Sequence, residues 1–276
     1  MVPFAKYTGA GNDFVIARAD PRSEAVGPEL ARRVCARRTG VGVDGLILVR
    51  PRPGGIRARF FNPDGSEFST CGNGSRCAAR FARDEGLTGP GRFVLETSAG
   101  EIGCEVDGER VALEYRIRVA LRGPLRVPGP VGPADAHLVE IGVPHLVVPL
   151  ADLPEGPIEG VCRPLRHLAE LGPGGANVNL VSLDGPGAGG GAIRTFERGV
   201  EGETLACGSG SMAAAFALRA AGLAGERLAL RVRGGDTLEI HILDDAPPDG
   251  GLRRVGLAGP AVRLFEGAFP DAILAP

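Results

Sequence analysis

Cys71-Gly72-Asn73-Gly74-Ser75 and Cys207-Gly208-Ser209-Gly210-Ser211 read alike, and that likeness decides the fold. Aligning the two cysteines brings Phe60 onto Phe196 eleven residues earlier and Glu67 onto Glu203 four residues earlier. It also brings Ala78-Ala79 onto Ala214-Ala215. A shared Cys-Gly-x-Gly-Ser in this framework is hard to reach by chance, even in a chain with 44 glycines. The chain therefore reads as an internal duplication.

The surroundings repeat as well. Alternating stretches at 57–61 and 192–196 read as strands that end on the phenylalanines. Helical patterns at 76–85 and 212–221 follow the cysteines and stop at Gly86 and Gly222, since glycine commonly closes a last turn. Each half then returns to β, at 92–96, 102–106 and 111–115 in the first and at 228–232 and 237–242 in the second. Asp107-Gly108 and Gly234-Gly235 supply hairpin turns between these runs. Pro28 suits the first turn of a helix over 28–38, and a second helix is expected over 164–171. The Pro- and Gly-rich stretch 122–135 reads as a linker and 184–191 as a glycine-rich loop. The expected architecture is α+β: two pseudo-symmetric domains, each a mostly antiparallel sheet wrapped around a central helix, with the active site in the interdomain cleft. The expected domains are 1–128, carrying Cys71, and 129–276, carrying Cys207, with the last residues able to pack back on the first half.

Composition narrows the function. The chain has 276 residues, 43% of them hydrophobic, which suits one large or two modest cores. Lys plus Arg total 31 against 33 Asp plus Glu, so no nucleic-acid or membrane-surface partner is expected. The first residues carry no basic run before an apolar stretch, so no targeting segment is expected. No run of about 18 apolar residues marks a membrane span. A cytoplasmic protein with its six cysteines reduced is therefore expected. The cysteines form no CxxC pair and His137, His145, His167 and His241 are scattered, so no metal site is expected. Cys35, Cys77, Cys104 and Cys162 read as small buried hydrophobes.

Cys71 and Cys207 differ because each stands at a helix start in an equivalent repeat position. First-turn N–H groups lack partners inside a helix, and with the helix dipole they favour negative charge. They stabilise a thiolate and can hold a substrate carboxylate. Removing the α-proton of an amino acid drives negative charge into that carboxylate, where fixed donors stabilise it. One cysteine as thiolate would take the proton from one face, and the other as thiol would return one to the opposite face. The usual alternative, pyridoxal phosphate on a lysine, has one candidate: Lys6 is the sole lysine and has no phosphate-cradle pattern beside it. No cofactor is expected.

At these residues the chain resembles the diaminopimelate epimerase family over nearly its whole length. Four blocks carry the resemblance: Tyr7-Thr8-Gly9-Ala10-Gly11-Asn12-Asp13-Phe14; Phe61-Asn62-Pro63-Asp64-Gly65-Ser66-Glu67 leading into Cys71-Gly72-Asn73-Gly74-Ser75-Arg76-Cys77; Ala176-Asn177-Val178-Asn179; and Phe196-Glu197-Arg198-Gly199 through Glu203 to Gly210. The resemblance implies cofactor-independent interconversion of LL- and meso-diaminopimelate, a step of bacterial lysine and cell-wall synthesis, in a homodimer. It implies Cys71 and Cys207 as the acid–base pair. Asn12 and the backbone at Gly72-Asn73 and Gly208-Ser209 would hold the reacting end. Asn62, Asn177, Glu197 and Arg198 would bind the charged groups, including the distal end. Arg198 can fork onto a carboxylate, and asparagines read a zwitterion without adding charge. Without the family, Asn12 and Asn62 read equally as turn formers, and Glu197 and Arg198 as a solvated pair. Gly142-Val143-Pro144-His145 departs from the family's frequent Gly-Asn-Pro-His, so Val143 cannot supply that amide to the distal end. His145 is expected to pack or orient.

Two other readings compete. One is a different two-cysteine racemase, of proline, hydroxyproline or histidine. The other is a non-catalytic anion binder using the helix starts, which lacks the Gly-Lys-Ser/Thr of a P-loop. The two-thiol reading makes a prediction of its own. Thiols that flank one carbon stand close when the carbon is gone, so mild oxidation should join Cys71 to Cys207 and inactivate the protein reversibly. Peptide mapping of the inactive form checks this; both thiols recovered unlinked would contradict it.

Overall fold

The structure is a computed structural model and describes residues 1–130, 132–185, 187, 189–244 and 251–274. The chain forms two compact units, Met1–Glu114 with Gly259–Pro276, and Tyr115–Ala258. No helix among the described residues is long and apolar enough to cross a membrane.

The sheet of the first unit runs, neighbour to neighbour, Val262–Phe269, Val2–Gly9, Asn12–Arg18, Gly45–Arg52, Gly55–Phe61, Phe93–Thr97, Gly100–Asp107 and Arg110–Ile117. Its pairings are antiparallel except Asn12–Arg18 with Gly45–Arg52 and Gly55–Phe61 with Phe93–Thr97, which are parallel. The sheet of the second unit runs Ala120–Gly129, Gly132–Ile141, Val143–Pro149, Asn177–Leu183, Gly190–Glu197, Arg227–Arg231, Thr237–Ile242 and Arg253–Pro260. Its parallel pairings fall at the same two steps, Val143–Pro149 with Asn177–Leu183 and Gly190–Glu197 with Arg227–Arg231. The two sheets thus share one topology. Parallel neighbours need a crossover, and helices supply it: Gly27–Cys35 and Gly72–Asp84 in the first unit, Glu159–Arg166 and Gly208–Ala220 in the second.

The central helices are Gly72–Asp84 and Gly208–Ala220, each of 13 residues. Strands of its own sheet pack around each of them. Nearly every side chain of Gly208–Ala220 is buried, as an enclosed helix requires. Both helices end on the predicted glycine in the left-handed region, Gly86 at φ 65° and Gly222 at φ 72°. Leu87 N–H reaches back to the Ala82 carbonyl (2.8 Å) and Leu223 N–H to that of Leu218 (2.9 Å), closing the last turns alike.

Three expectations are corrected. The stretch expected as a linker is a β-hairpin, with Ala120–Gly129 paired antiparallel to Gly132–Ile141. Its alternation turns Leu125, Val127, Ala134 and Ala136 toward the hydrophobic cluster of the second unit, and that burial outweighs the Pro/Gly content. Val131 of that stretch, and Pro186 and Ala188 of the glycine-rich loop, lie outside the described residues. Because Ala120–Gly129 is the first strand of the second sheet, the compact units divide at Glu114/Tyr115, where 128/129 was expected. The matching place in the first sheet is filled from the far end of the chain by Val262–Phe269.

The second correction concerns the crossover helices. Gly27–Cys35 ends before Arg38, and Glu159–Arg166 begins before Pro164, which lies inside it. Ile158, Cys162 and Leu165 recur on one face and are buried in the cluster, so packing overrides the proline. The third is the register of the repeat. Glu67 lies opposite Phe61, and Glu203 opposite Phe196. Phe61, and not Phe60, is therefore the counterpart of Phe196, and the second turn is one residue longer.

That register equates two ion pairs. Arg59 grips Glu67 through Nε (3.0 Å) and Nη2 (2.7 Å), and Arg194 grips Glu203 through the same atoms (2.7 and 2.6 Å). Each clamp ties the strand before a cysteine to the short strand leading into it. Arg194 is 6% and Glu203 13% exposed, whereas Arg59 and Glu67 are 29% and 38% exposed. Arg194 also donates to the Pro154 and Gly156 carbonyls, and without it Glu203 keeps Arg233 at 3.8 Å. Breaking so enclosed a pair costs about 3 kcal/mol, while an exposed pair contributes at most about 1 kcal/mol. Arg194→Met should therefore lower unfolding free energy by about 3 kcal/mol and Arg59→Met by about 1 kcal/mol or less. Denaturant titration of both variants checks this, and equal losses would contradict it.

Candidate active site

Cys71 and Cys207 are the N-cap residues of the two central helices, both in extended conformation (φ −144°, ψ 129° and φ −133°, ψ 110°). The first intrahelical bonds run from Ser75 N–H to the Cys71 carbonyl (2.7 Å) and from Ser211 N–H to the Cys207 carbonyl (3.0 Å). The N–H groups of residues 72–74 and 208–210 thus precede the ladder and are open to other acceptors. At Cys207 one is used: Gly210 N–H points at Sγ (3.4 Å), and Ser209 Oγ lies 3.4 Å from the same sulfur. A thiolate there gains from these donors and from the helix dipole. Cys71 is half-buried and Cys207 buried.

The other thiols are in different settings. Burial pushes each of Cys35, Cys77, Cys104 and Cys162 up to about 12, which keeps them protonated at neutral pH.

Around Cys71 the tip of the hairpin Val2–Gly9/Asn12–Arg18 packs on the first helical turn. A Cβ on Gly9 would lie 2.9 Å from both the Asn73 carbonyl oxygen and Cys77 Sγ, so only glycine allows this approach. Ala10 turns the hairpin at φ 54°, a conformation uncommon for a residue with a Cβ. The turn presents Asn12 to the helix, where Asn73 Nδ2 donates to Asn12 Oδ1 (2.8 Å). Asn62 closes the turn before Cys71: its N–H donates to the Ser66 carbonyl (2.8 Å) and its Nδ2 to Ser66 Oγ (3.0 Å). The turn-forming role of Asn62 is thus realised in the structure.

In the second unit, Asn177 Oδ1 accepts from Arg198 N–H (2.7 Å), and Glu197 accepts from Thr204 Oγ1 (2.7 Å). Arg198 is exposed. Gly72, Asn73 and Asn12 are therefore grouped with Cys71 in the first unit. Gly208 and Ser209 adjoin Cys207 in the second, where Asn177, Glu197 and Arg198 form a linked set.

Sequence reasoning left Asn179, Arg76 and Asp44 without roles. Asn179 lies two residues from Asn177 on the same strand, so both point to one face; that spacing was the available signal. Asn179 Nδ2 sits 3.2 Å from His145 Nδ1, and its Oδ1 accepts from Thr195 Oγ1 (3.0 Å). An amide N–H₂ facing Nδ1 makes that nitrogen the acceptor and puts the His145 proton on Nε2. Nε2 is buried and has no hydrogen-bond partner among the described residues. Burial, and secondarily the charge of Arg198, push His145 down to about 3.

Solved structures share this repeated fold across nearly the whole chain. A phenazine biosynthesis protein of the PhzF family from Bacillus anthracis superposes with TM-score 0.69 at 18% identity, covering 98% of this chain and 99% of that one. A probable proline racemase from Agrobacterium radiobacter K84, with bound carbonate, also gives 0.69 at 18%, covering 99% and 96%. The protein is thus, by fold class, a duplicated α+β protein of the kind adopted by these racemase- and PhzF-type structures. A model of the family described as diaminopimelate epimerase matches residues 4–118 and 137–256. Proteins named diaminopimelate epimerase from Desulforudis audaxviator and from Hydrogenobaculum sp. are 39% and 37% identical. The alignments cover 98% and 95% of this chain, and 99% and 96% of theirs. The chain belongs to the diaminopimelate epimerase family.

The neutral imidazole yields a pH prediction. The unfolded chain titrates His145 near its ordinary 6.5, whereas the folded protein holds it neutral down to about 3. Between these values the unfolded state binds the extra proton, so the contribution to stability is whole above 6.5 and is lost as pH falls. From pH 7 to pH 5 the parent should lose about 2 kcal/mol more than His145→Gln. Denaturant titrations at both pH values test this; parallel losses would place the imidazole in contact with solvent.

Proposed function

We propose that the protein is an isomerase that interconverts LL-2,6-diaminopimelate and meso-diaminopimelate without a cofactor, with Cys71 and Cys207 as its acid–base pair. The observation that carries the reading is the repetition itself. Two sheets of one topology each enclose a helix whose N-cap is a cysteine. A duplicated protein suits a reaction whose substrate and product differ at one centre by the side on which hydrogen stands.

The chemistry follows from the groups. One cysteine, as thiolate, removes the α-proton from one face while the other, as thiol, delivers a proton to the opposite face, so the sulfurs exchange protonation states with each turnover. The free N–H groups at Gly72-Asn73 and Gly208-Ser209 receive the α-carboxylate and the charge that develops on it. Asn12 reads the reacting end as an uncharged donor and acceptor. Arg198 takes a distal carboxylate, while Asn62, Asn177 and Glu197 offer acceptors to ammonium groups. Val143 leaves the distal end to these groups. The protein works as a homodimer in the cytoplasm, in lysine and peptidoglycan biosynthesis.

The test is α-deuterium uptake in deuterated water by LL-diaminopimelate and by a panel including proline, hydroxyproline and histidine. LL-diaminopimelate should exchange fastest. Replacing either Cys71 or Cys207 by Ala should reduce turnover about 100- to 10,000-fold. Rapid uptake by another amino acid, with none by LL-diaminopimelate, would reject the substrate assignment. Unchanged turnover in both alanine variants would reject the thiol pair.

A further inference from the structure

Arg76 is fully buried on the Cys71 helix. Its Nε reaches the Pro260 carbonyl and its Nη1 the Gly72 carbonyl, both at 3.3 Å, while Nη2 donates to Asn73 Oδ1 at 2.8 Å. Asn73 Nδ2 donates onward to Asn12 Oδ1 (2.8 Å), and Asn12 Nδ2 to Asp44 Oδ2 (2.9 Å). Asp44 is itself held: its N–H donates to Asp13 Oδ1 (3.0 Å), and its Oδ2 also accepts from Asp13 N–H (3.2 Å). Asp13 pairs in turn with Lys6 (2.7 Å).

The ends of this chain are not interchangeable. A guanidinium only donates and a carboxylate only accepts, whereas each amide between them can face either way. Reversing Asn73 would set its NH₂ against the Arg76 fork, and reversing Asn12 would set its oxygen against Asp44. Either change leaves like groups opposed, at the full cost of a lost buried hydrogen bond at the Asn73 end and at a smaller cost at the solvent-exposed Asn12–Asp44 end. The cation at one end and the anion at the other therefore dictate both amide orientations. They also dictate which second N–H and which second lone pair each amide keeps for a ligand beside Cys71.

We propose that Arg76 and Asp44 are positioning residues that set, through Asn73 and Asn12, the donor and acceptor pattern meeting the α-ammonium and α-carboxylate of the substrate. The inference rests on the epimerase reading for its ligand and on hydrogen bonding alone for the chain. Asp44→Ala removes the accepting end, and Asp44→Asn keeps one accepting oxygen. Arg76→Met removes the donating end while keeping apolar bulk.

Two readouts separate the outcomes. The first is kcat and KM for LL-diaminopimelate. Asp44→Ala and Arg76→Met should each raise KM about tenfold with a smaller fall in kcat, as loss of uniform binding does. Asp44→Asn should recover most of that loss, which removal of mere bulk would not explain. The second readout is hydrogen exchange of the Asn12 and Asn73 side-chain amides in the ligand-free protein, followed by NMR. It should quicken at Asn12 in Asp44→Ala. If Arg76→Met does not fold, the two Asp44 variants carry the test. A KM within twofold of the parent in Asp44→Ala, or an Asn12 amide whose exchange is unmoved, overturns the proposal. A parent protein that ignores LL-diaminopimelate would defeat the epimerase reading instead, while the exchange measurement would still decide the hydrogen-bond chain.

Discussion

The structure depends on keeping the first-turn N–H groups of two buried helices open at one end. A helix start enclosed in protein normally has these donors capped by side chains. Here each N-cap is a cysteine, whose sulfur in the second helix accepts from Gly210 N–H, and glycine fills the first and third helical positions of both helices. Small residues keep the approach clear and let other backbone come close. A Cβ on Gly210 would stand 2.3 Å from Asn179 Oδ1, and one on Gly9 would strike the Asn73 carbonyl. The sheets that wrap these helices hold the open ends in place, and the Arg–Glu clamps tie down the strands that lead into them.

Uncharged polar groups recur near the cysteine-capped helix start of each unit. Asn12 and Asn73 in the first unit, and Asn177 and Asn179 in the second, are each held through their amides by hydrogen bonds to protein partners. His145 is buried and neutral at working pH. Four thiols sit in apolar surroundings that keep them protonated. Arg76 is the buried charge at the first turn of the Cys71 helix, and with Asp44 it sets the direction of a hydrogen-bond chain. Dipoles oriented in advance need no reorganisation as charge moves, which is what the proposed reaction asks of them.

Much of this was legible in the linear chain because it is local. The cysteines, the glycines after them and the closing Gly86 and Gly222 lie within single strand–helix units, so spacing alone exposed both helix starts. Crossover helices were legible in kind and less so in extent: Pro164 signalled a helix start, yet the buried face of Ile158, Cys162 and Leu165 carried the helix earlier. Phe60 matched Phe196 by count, while strand pairing put Phe61 in that place, because a turn gained one residue that no pattern of hydrophobicity records.

By itself the sequence determined the duplication, the elements that carry the cysteines and the residue types able to read an amino acid, since those follow from local backbone preferences and short periodicities. Only the tertiary structure decided that 122–135 is a hairpin and that Val262–Phe269 completes the first sheet. It alone brought Arg76, Asn73, Asn12 and Asp44 into one directed chain. Those outcomes rest on burial and pairing between residues far apart in the sequence, whose energies depend on neighbours that the linear order does not reveal.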